Sequence, residues 1–489
     1  MKRTATDASL AERIKERTGQ NINLCYFCRK CTNGCPVVEY MDLTPSQLMR
    51  SLQLGRDDTV LESKTPWLCA HCETCFARCP MSLDVPQIMD AIINEVRERG
   101  IKPAVPEVDA LNQLALAWIK RLGRMYELAI MGERNLRSGQ LFRDMEMGRR
   151  MLMAGKLKLL PQIVLSSKRK PEPLPKSGAA RVAYFPGCSQ HSSGIEYGSS
   201  TEKVAMALGL ELAEPKGWTC CGSGMGHTLP KGESASMAMR NLALVEAAGD
   251  DTLTTGCAAC FSRFKRSVYE VERDADVRKE VETTTGYDYT GKVKVAHLLD
   301  TFVDKVGLDA IADRVKRPLE GLKVVCYYGC LLTRPPEVNG ADHPEYPMNM
   351  DLLVRKLGAK TLDWSYKTDC CGGNLMLTET GIALRMSNKV LAGAKEVGAD
   401  AIVVACPFCQ GNLDTRQDQI ARELGHKYDI PIIYFTQLMG LAFGFSAKEM
   451  ALDKHFVSAE KVMAALDGQA AKPVARADRS PALRAGSGK

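Results

Sequence analysis

Cys25-Tyr26-Phe27-Cys28-Arg29-Lys30-Cys31-Thr32-Asn33-Gly34-Cys35-Pro36 and Cys69-Ala70-His71-Cys72-Glu73-Thr74-Cys75-Phe76-Ala77-Arg78-Cys79-Pro80 share one spacing, C-x2-C-x2-C-x3-C-P, with every cysteine offset by 44 residues. Three cysteines at every third residue wrap a tight loop around one corner of a cubane [4Fe–4S] cluster, and where two such runs occur the fourth cysteine of each ligates the other cluster. By that rule Cys25, Cys28, Cys31 and Cys79 hold one cubane, and Cys69, Cys72, Cys75 and Cys35 hold the second. Zinc sites also use C-x2-C pairs, but they have no need of a third and fourth cysteine followed by proline. His71 lies inside the second loop, where four thiols are already available, so its expected role is to hydrogen-bond near the ligands rather than to ligate.

Eighteen of the 19 cysteines fall into ordered groups, and only Cys326 is left over, as a plain buried thiol. Beyond the two runs, Cys188, Cys220-Cys221, Cys257 and Cys260 recur as Cys330, Cys370-Cys371, Cys406 and Cys409, with offsets of 142, 150, 150, 149 and 149 residues. Near-constant offsets mean a duplicated architecture. Cys188, Cys257, Cys330 and Cys406 each close a predicted strand, the end of an α/β sheet at which ligands sit and helix N-termini face anionic groups. Gly222, Gly372 and Gly373 follow the paired cysteines, where a missing side chain would let backbone approach a bulky group. Five thiols per site exceed what one zinc ion or one ordinary cubane uses. A thioredoxin-like C-x2-C dithiol would leave three cysteines of each copy unexplained.

The rest of the composition is ordinary. The 489 residues are 45% hydrophobic and 25% charged, with a formal net charge of +7. Basic residues are interspersed with acidic ones, which gives nucleic acid nothing to follow. Thiols in such number, with no secretory segment in Met1 to Gln20, point to a cytoplasmic protein that uses cysteine for metal. No run approaches the roughly 20 apolar residues of a membrane span, so membrane contact is expected only through a partner. Ala104 to Gln162 reads as helix, with Leu111, Leu114, Trp118, Ile119 and Leu122 on one face; the methionines that follow, among many Arg and Lys, read either as a docking surface for a partner protein or, the favoured reading, as cores and solvated faces of ordinary helices. Lys168 to Gly178 reads as a linker and the end of the chain as a disordered tail. Strands then alternate with helices around Thr201–Leu212, Ala235–Ala248, Met350–Leu357 and Gly381–Val397. The expected fold is therefore α+β overall: a mainly helical two-cluster domain (1–100), a helical connector (101–178), two pseudo-symmetric α/β modules (179–317 and 318–458) and a tail (459–489).

These residues carry a family resemblance. The chain resembles heterodisulfide reductase: residues 20–100 are similar to its ferredoxin-type C subunit, and residues 180–455 to its B subunit with a doubled cysteine-rich CCG domain. The match runs through Tyr184-Phe185-Pro186-Gly187-Cys188, Trp218-Thr219-Cys220-Cys221-Gly222, Tyr328-Gly329-Cys330, Pro344-Glu345-Tyr346-Pro347, Asp369-Cys370-Cys371-Gly372-Gly373, Cys406-Pro407-Phe408-Cys409 and Asn412-Leu413-Asp414-Thr415-Arg416-Gln417. A fusion of this kind is similar to the D subunit of the membrane-linked form.

The resemblance implies that each CCG motif binds a noncubane [4Fe–4S] cluster through its five cysteines, and that a disulfide is cleaved between the two. Cys188, Cys220, Cys221, Cys257 and Cys260 would hold one, and Cys330, Cys370, Cys371, Cys406 and Cys409 the other, as the catalytic groups. Where the family usually has histidine after the first cysteine of the second motif, this chain has Leu331, which spares ligation and leaves the substrate open. The implied activity is oxidoreduction of a small disulfide or thiol, carried out by one member of a hetero-oligomer. The alternative is a non-catalytic electron conduit for a flavin-dependent dehydrogenase or quinone-linked complex. No G-x-G-x-x-G follows a strand, so flavin is expected on a partner, heterodisulfide reductase A-like or a flavin dehydrogenase.

Overall fold

The computed structural model describes residues 8–164 and 180–467; the expected linker at Lys168 to Gly178 and most of the expected tail lie outside the described residues. The N-terminal part is helical because its loops supply good caps. Ser9 and Glu12 close a capping box on α1 (Leu10–Thr18), Thr44 and Gln47 do the same for α2 (Pro45–Gln53), and Asp84 caps α3 (Val85–Glu98). Leu10 and Ile14, Leu48 and Leu52, and Ile88, Ile92 and Val96 meet in one core. The two cysteine runs form the loops around it.

The connector is helical and holds three helices, α4 (Pro106–Leu122), α5 (Glu127–Arg137) and α6 (Met145–Met153). Helix α4 buries Leu111, Leu114, Ile119 and Leu122 as the periodicity predicts. The methionines divide: Met125 packs on the core of α4 and α5, Met131, Met147 and Met151 are half-buried, and Met145 and Met153 are exposed. No residue of α6 is buried, and Met145, Leu152 and Met153 are exposed, as are Leu136, Leu141 and Phe142 before them.

Each α/β module is a four-stranded, all-parallel sheet. The first holds β1 (Ala180–Phe185), β2 (Leu210–Ala213), β3 (Thr252–Thr255) and β4 (Lys294–His297) in the order β2-β1-β3-β4. The second holds β5 (Lys323–Tyr327), β6 (Lys360–Thr361), β7 (Ala401–Val404) and β8 (Ile432–Tyr434) in the order β6-β5-β7-β8. Strands β3 and β7 are buried throughout, as expected of strands covered on both faces by crossover helices. These helices are α7 (Ile195–Ala207), α8 (Lys231–Ala247) and α9 (Ala258–Arg273) in the first module, and α10 (Asn349–Lys356), α11 (Thr380–Glu396), α12 (Pro407–Thr415) and α13 (Phe435–Ala442) in the second. The helix expected over Thr201–Leu212 ends early, because Gly209 at φ +74° stops it and turns Leu210–Ala213 into the edge strand β2.

Both sheets reverse direction of winding between their first and third strands, and the carboxyl ends there form the crevice in which α/β ligands sit. The modules pack reciprocally. Helix α7 of the first meets α13 of the second, with Tyr197 stacked on Tyr434 at 4.1 Å and Ser200 bonded to Thr436 at 2.7 Å, while Asn349 of α10 donates to Asp300 after β4. One continuous apolar core runs through both.

Candidate metal centres

The two N-terminal runs adopt the same loop. Phe27 and His71, and Arg29 and Glu73, four residues without the freedom of glycine, all take positive φ, between +50° and +63°. That curl turns three thiols inward. Cys28 is exposed at one end, and the Leu83 N–H donates to the Cys79 sulfur at 3.3 Å. Burial and the neighbouring Cys72 push the Cys35 thiol up to about 12, and burial with Cys69, Cys72 and Cys35 pushes Cys75 well above the usual thiol range. Cys35 thus lies with the second run.

In each module the five cysteines come together from four places. Cys188 follows β1 and Cys257 follows β3, on either side of the switch in winding; Cys330 and Cys406 do the same after β5 and β7. Cys257 and Cys406 are the N-cap residues of α9 and α12, so Cys260 and Cys409 lie in first turns, where the neighbouring thiols (Cys221 and Cys257, or Cys371 and Cys406) and burial push them well above the usual thiol range. The Cys221 and Cys260 sulfurs are 3.2 Å apart, and those of Cys371 and Cys409 are 3.8 Å apart. Cys188 lies beside Cys220, and Cys330 beside Cys370. All 19 thiols are free. The vicinal pairs sit under backbone donors: Gly222 N–H to Cys220 at 3.5 Å, Ser223 N–H to Cys221 at 3.4 Å and Gly372 N–H to Cys370 at 3.4 Å. Crowded, buried, unoxidised thiols with N–H donors are the donor set of an anionic iron–sulfur group, and the residues present fit one at each site.

The glycines divide differently from the expectation. Gly222 and Gly372 have φ of +84° and +81°, and an added Cβ would meet Met237 of α8 or Ala383 of α11 rather than the thiols. Gly373 would make only ordinary contacts. Its added Cβ would stand 3.6 Å from the Cys371 sulfur, as expected from its place after the paired cysteines, and Gly187 and Gly329 lie closer still, at 3.3 Å from the Cys260 sulfur and 2.9 Å from the Cys409 sulfur. Gly187 and Gly329 precede the first cysteine of each motif, a position that could have been read as a close approach. Gly329→Ala, at φ +71°, is expected to lower the iron content of the purified protein, measured by iron assay, because the added Cβ crowds the Cys409 sulfur.

The tertiary structure also orders the groups. Cys72 of the second run lies against Cys370, and Cys257 lies against Cys406 across the two modules. An apolar layer of Val37, Leu68, Leu375, Ile382 and Met386 seals the first of these junctions. Arg334, almost fully buried, pins it: the guanidinium donates to Thr74 at 2.9 Å, the Thr368 carbonyl at 2.8 Å and Glu345 at 2.6 Å. Sequence reasoning did not single out Arg334. Cys326 is fully buried in β5 and faces none of these sites.

A cavity of about 340 Å³ lies where the three parts meet. Its wall includes Ser223 and Gly224 beyond the first vicinal pair, Ala259 between Cys257 and Cys260, Leu331 after Cys330 and Asn374 after the second pair. His71, Asp90 and His227 form another part of it, with Arg263 and Arg266. Burial drives the His71 and His227 rings down to about 4 and about 3, and pushes the Asp90 carboxyl up to about 7.

Residues 24–84 match the 4Fe-4S dicluster domain family, and residues 182–265 and 324–414 each match the cysteine-rich domain family, CCG. The B subunit of the ferredoxin/F(420)H(2)-dependent CoB-CoM heterodisulfide reductase of Methanosarcina acetivorans is 30% identical over 290 residues, 57% of this chain and 94% of the relative. The chain belongs to the heterodisulfide reductase family. Its N-terminal part adds the other subunit type: the iron-sulfur C subunit of the CoB-CoM heterodisulfide reductase of Methanopyrus kandleri is 34% identical over 87 residues, 18% of this chain and 45% of the relative. The 8-methylmenaquinol:fumarate reductase membrane anchor subunit of Wolinella succinogenes is 31% identical over 281 residues, 57% of this chain and 98% of that one. This heterodisulfide reductase-type chain is an iron–sulfur protein with C-like and B-like parts in sequence, and among its described residues no helix is long and apolar enough to cross a membrane.

Proposed function

We propose that this chain is the disulfide-reducing iron–sulfur subunit of a heterodisulfide reductase-type complex, supplied with electrons by a flavoprotein partner. The observation that carries it is the succession of thiol groups from exposed Cys28, through the Cys72–Cys370 junction, to Cys257 and Cys406, together with a cavity lined by residues next in sequence to cysteines of both five-cysteine sets. When bound, the clusters supply one-electron transfer, and two electrons with two protons turn a disulfide into two thiols. Cys25, Cys28, Cys31 and Cys79 would hold the outer cubane, Cys69, Cys72, Cys75 and Cys35 the inner one, and the two sets of five a noncubane cluster each. The chain's other residues position and enclose. Arg334 holds the inner loop on the second module, the apolar layer keeps water from the junction, and Arg263 and Arg266 offer charge to the ends of a polar disulfide. The exposed apolar side chains of α6 and the segment before it support assembly with a partner protein.

A conduit role is favoured by one observation: the Wolinella relative is named for a quinol and fumarate, not for a disulfide. Electron paramagnetic resonance of the anaerobically purified, oxidised protein titrated with a panel of thiols separates the two. A thiol-dependent paramagnetic signal that disappears in Cys371→Ser or Cys221→Ser is the expected result; no thiol response across the panel favours the conduit. Iron should be about sixteen atoms per chain, and an assay near eight, about half, sinks the four-cluster assignment.

A further inference from the structure

The cavity wall carries a donor set that neither the clusters nor disulfide reduction uses. His71 comes from the inner cysteine loop, Asp90 from α3 and His227 from the segment after Cys220-Cys221, so three separate stretches of chain converge. The Asp90 carboxylate oxygen Oδ1 is 3.3 Å from His71 Nε2 and 2.8 Å from His227 Nδ1. All three ligand atoms lie within 4.8 Å of one another. The imidazoles lie side by side, centroids 3.7 Å apart and tilted by 34°, which sets their nitrogens on the same carboxylate. Spacings near 3 Å between donor atoms are what a cation with ligands at roughly 2.0–2.2 Å requires.

Among the described residues the ion pairs of Asp90 are with the two imidazoles, while Arg266 and Arg263 act on it from farther away and are each paired with other carboxylates. Arg266 is paired with Asp84 and, at 3.1 Å, with Glu73; Arg263 pairs with Glu270 at 3.6 Å. The Gly224 backbone lies close to the His227 ring, within reach of an outer contact of the kind that orients a ligating histidine. Two histidines and one carboxylate on one side of a hollow leave coordination positions open toward it, the arrangement of non-haem iron and catalytic zinc sites.

We infer that His71, Asp90 and His227 form a divalent-cation site, with zinc or ferrous iron as the fitting class, that joins the ferredoxin-type part to the first CCG module and presents open positions to the cavity. In the bound form each ring uses the nitrogen that faces Asp90 and carries its proton on the other. The site does not depend on the disulfide-reducing role, and its test does not read activity.

Holoprotein with full iron content, freed of loosely held metal by chelator, is titrated with zinc by calorimetry and its zinc counted by mass spectrometry. One zinc per chain is expected. Binding should weaken roughly 100-fold or more in His227→Ala and at least tenfold in Asp90→Asn, with iron and visible absorbance unchanged in both. Asp90→Asn keeps the shape of the side chain and decides the matter if His227→Ala does not fold. Zinc that binds the variants as tightly as the parent, or does not bind the parent, overturns the assignment.

Discussion

Replacing Lys156 with methionine is expected to destabilise the protein by about 3–5 kcal/mol. Lys156 follows α6 and is 1% exposed; its ammonium stands 2.7 Å from Glu196, which is wholly buried on α7. Taking away the cation leaves a carboxylate in an apolar interior, and the second oxygen of Glu196 already has no hydrogen-bond partner among the described residues. The attraction of the pair need not exceed its desolvation cost, so the double replacement Lys156→Met, Glu196→Gln is expected to recover most of the loss. Thermal and denaturant unfolding of the two single variants and the double variant measures this directly. If Lys156→Met unfolds like the parent, water or another cation reaches Glu196.

Arg334→Leu is expected to loosen the junction between the inner cysteine loop and the second module, at about 2–4 kcal/mol. The guanidinium is a fork that serves Thr74, Thr368 and Glu345 at once, and Thr74 lies two residues from Cys72. Glu345 is nearly half exposed and is also held by Arg78 at 3.0 Å, so it stays solvated when Arg334 goes; the cost comes from the buried threonine contacts. Arg334→Lys retains charge without the fork and is expected to fall between. The distinguishing readout is kinetic: stopped-flow reduction of the parent should proceed to the second module's centre, whereas in Arg334→Leu the inner cubane is reduced normally and the next centre lags. Equal rates in both proteins would show that Arg334 only stabilises.

Much of the site was readable from spacing. A thiol at every third residue is a local statement about one loop, and a cysteine two or three residues past a β-rich run is a local statement about a strand end. Each needs only neighbouring backbone to come true, which is why β1, β3, β5 and β7 appear where expected with Cys188, Cys257, Cys330 and Cys406 beyond them. The misread parts lacked a local signature. Leu208 to Leu212 has the composition of a helix end, and sheet pairing with β1 makes its last residues a strand. The methionines of α6 have core-like composition, yet none of them is buried.

By itself, then, the sequence determined the cysteine groups, the duplication and the α/β alternation, because all three are periodicities that the backbone converts into structure within one loop or one strand–helix unit. Only the tertiary structure decided how the groups stand to one another: Cys72 against Cys370, Cys257 against Cys406, Arg334 reaching Thr74 across 260 positions, and His71, Asp90 and His227 on one wall. Those contacts depend on how separately folded parts dock. Docking is set by scattered side chains whose partners lie far away in the chain, and no spacing records them.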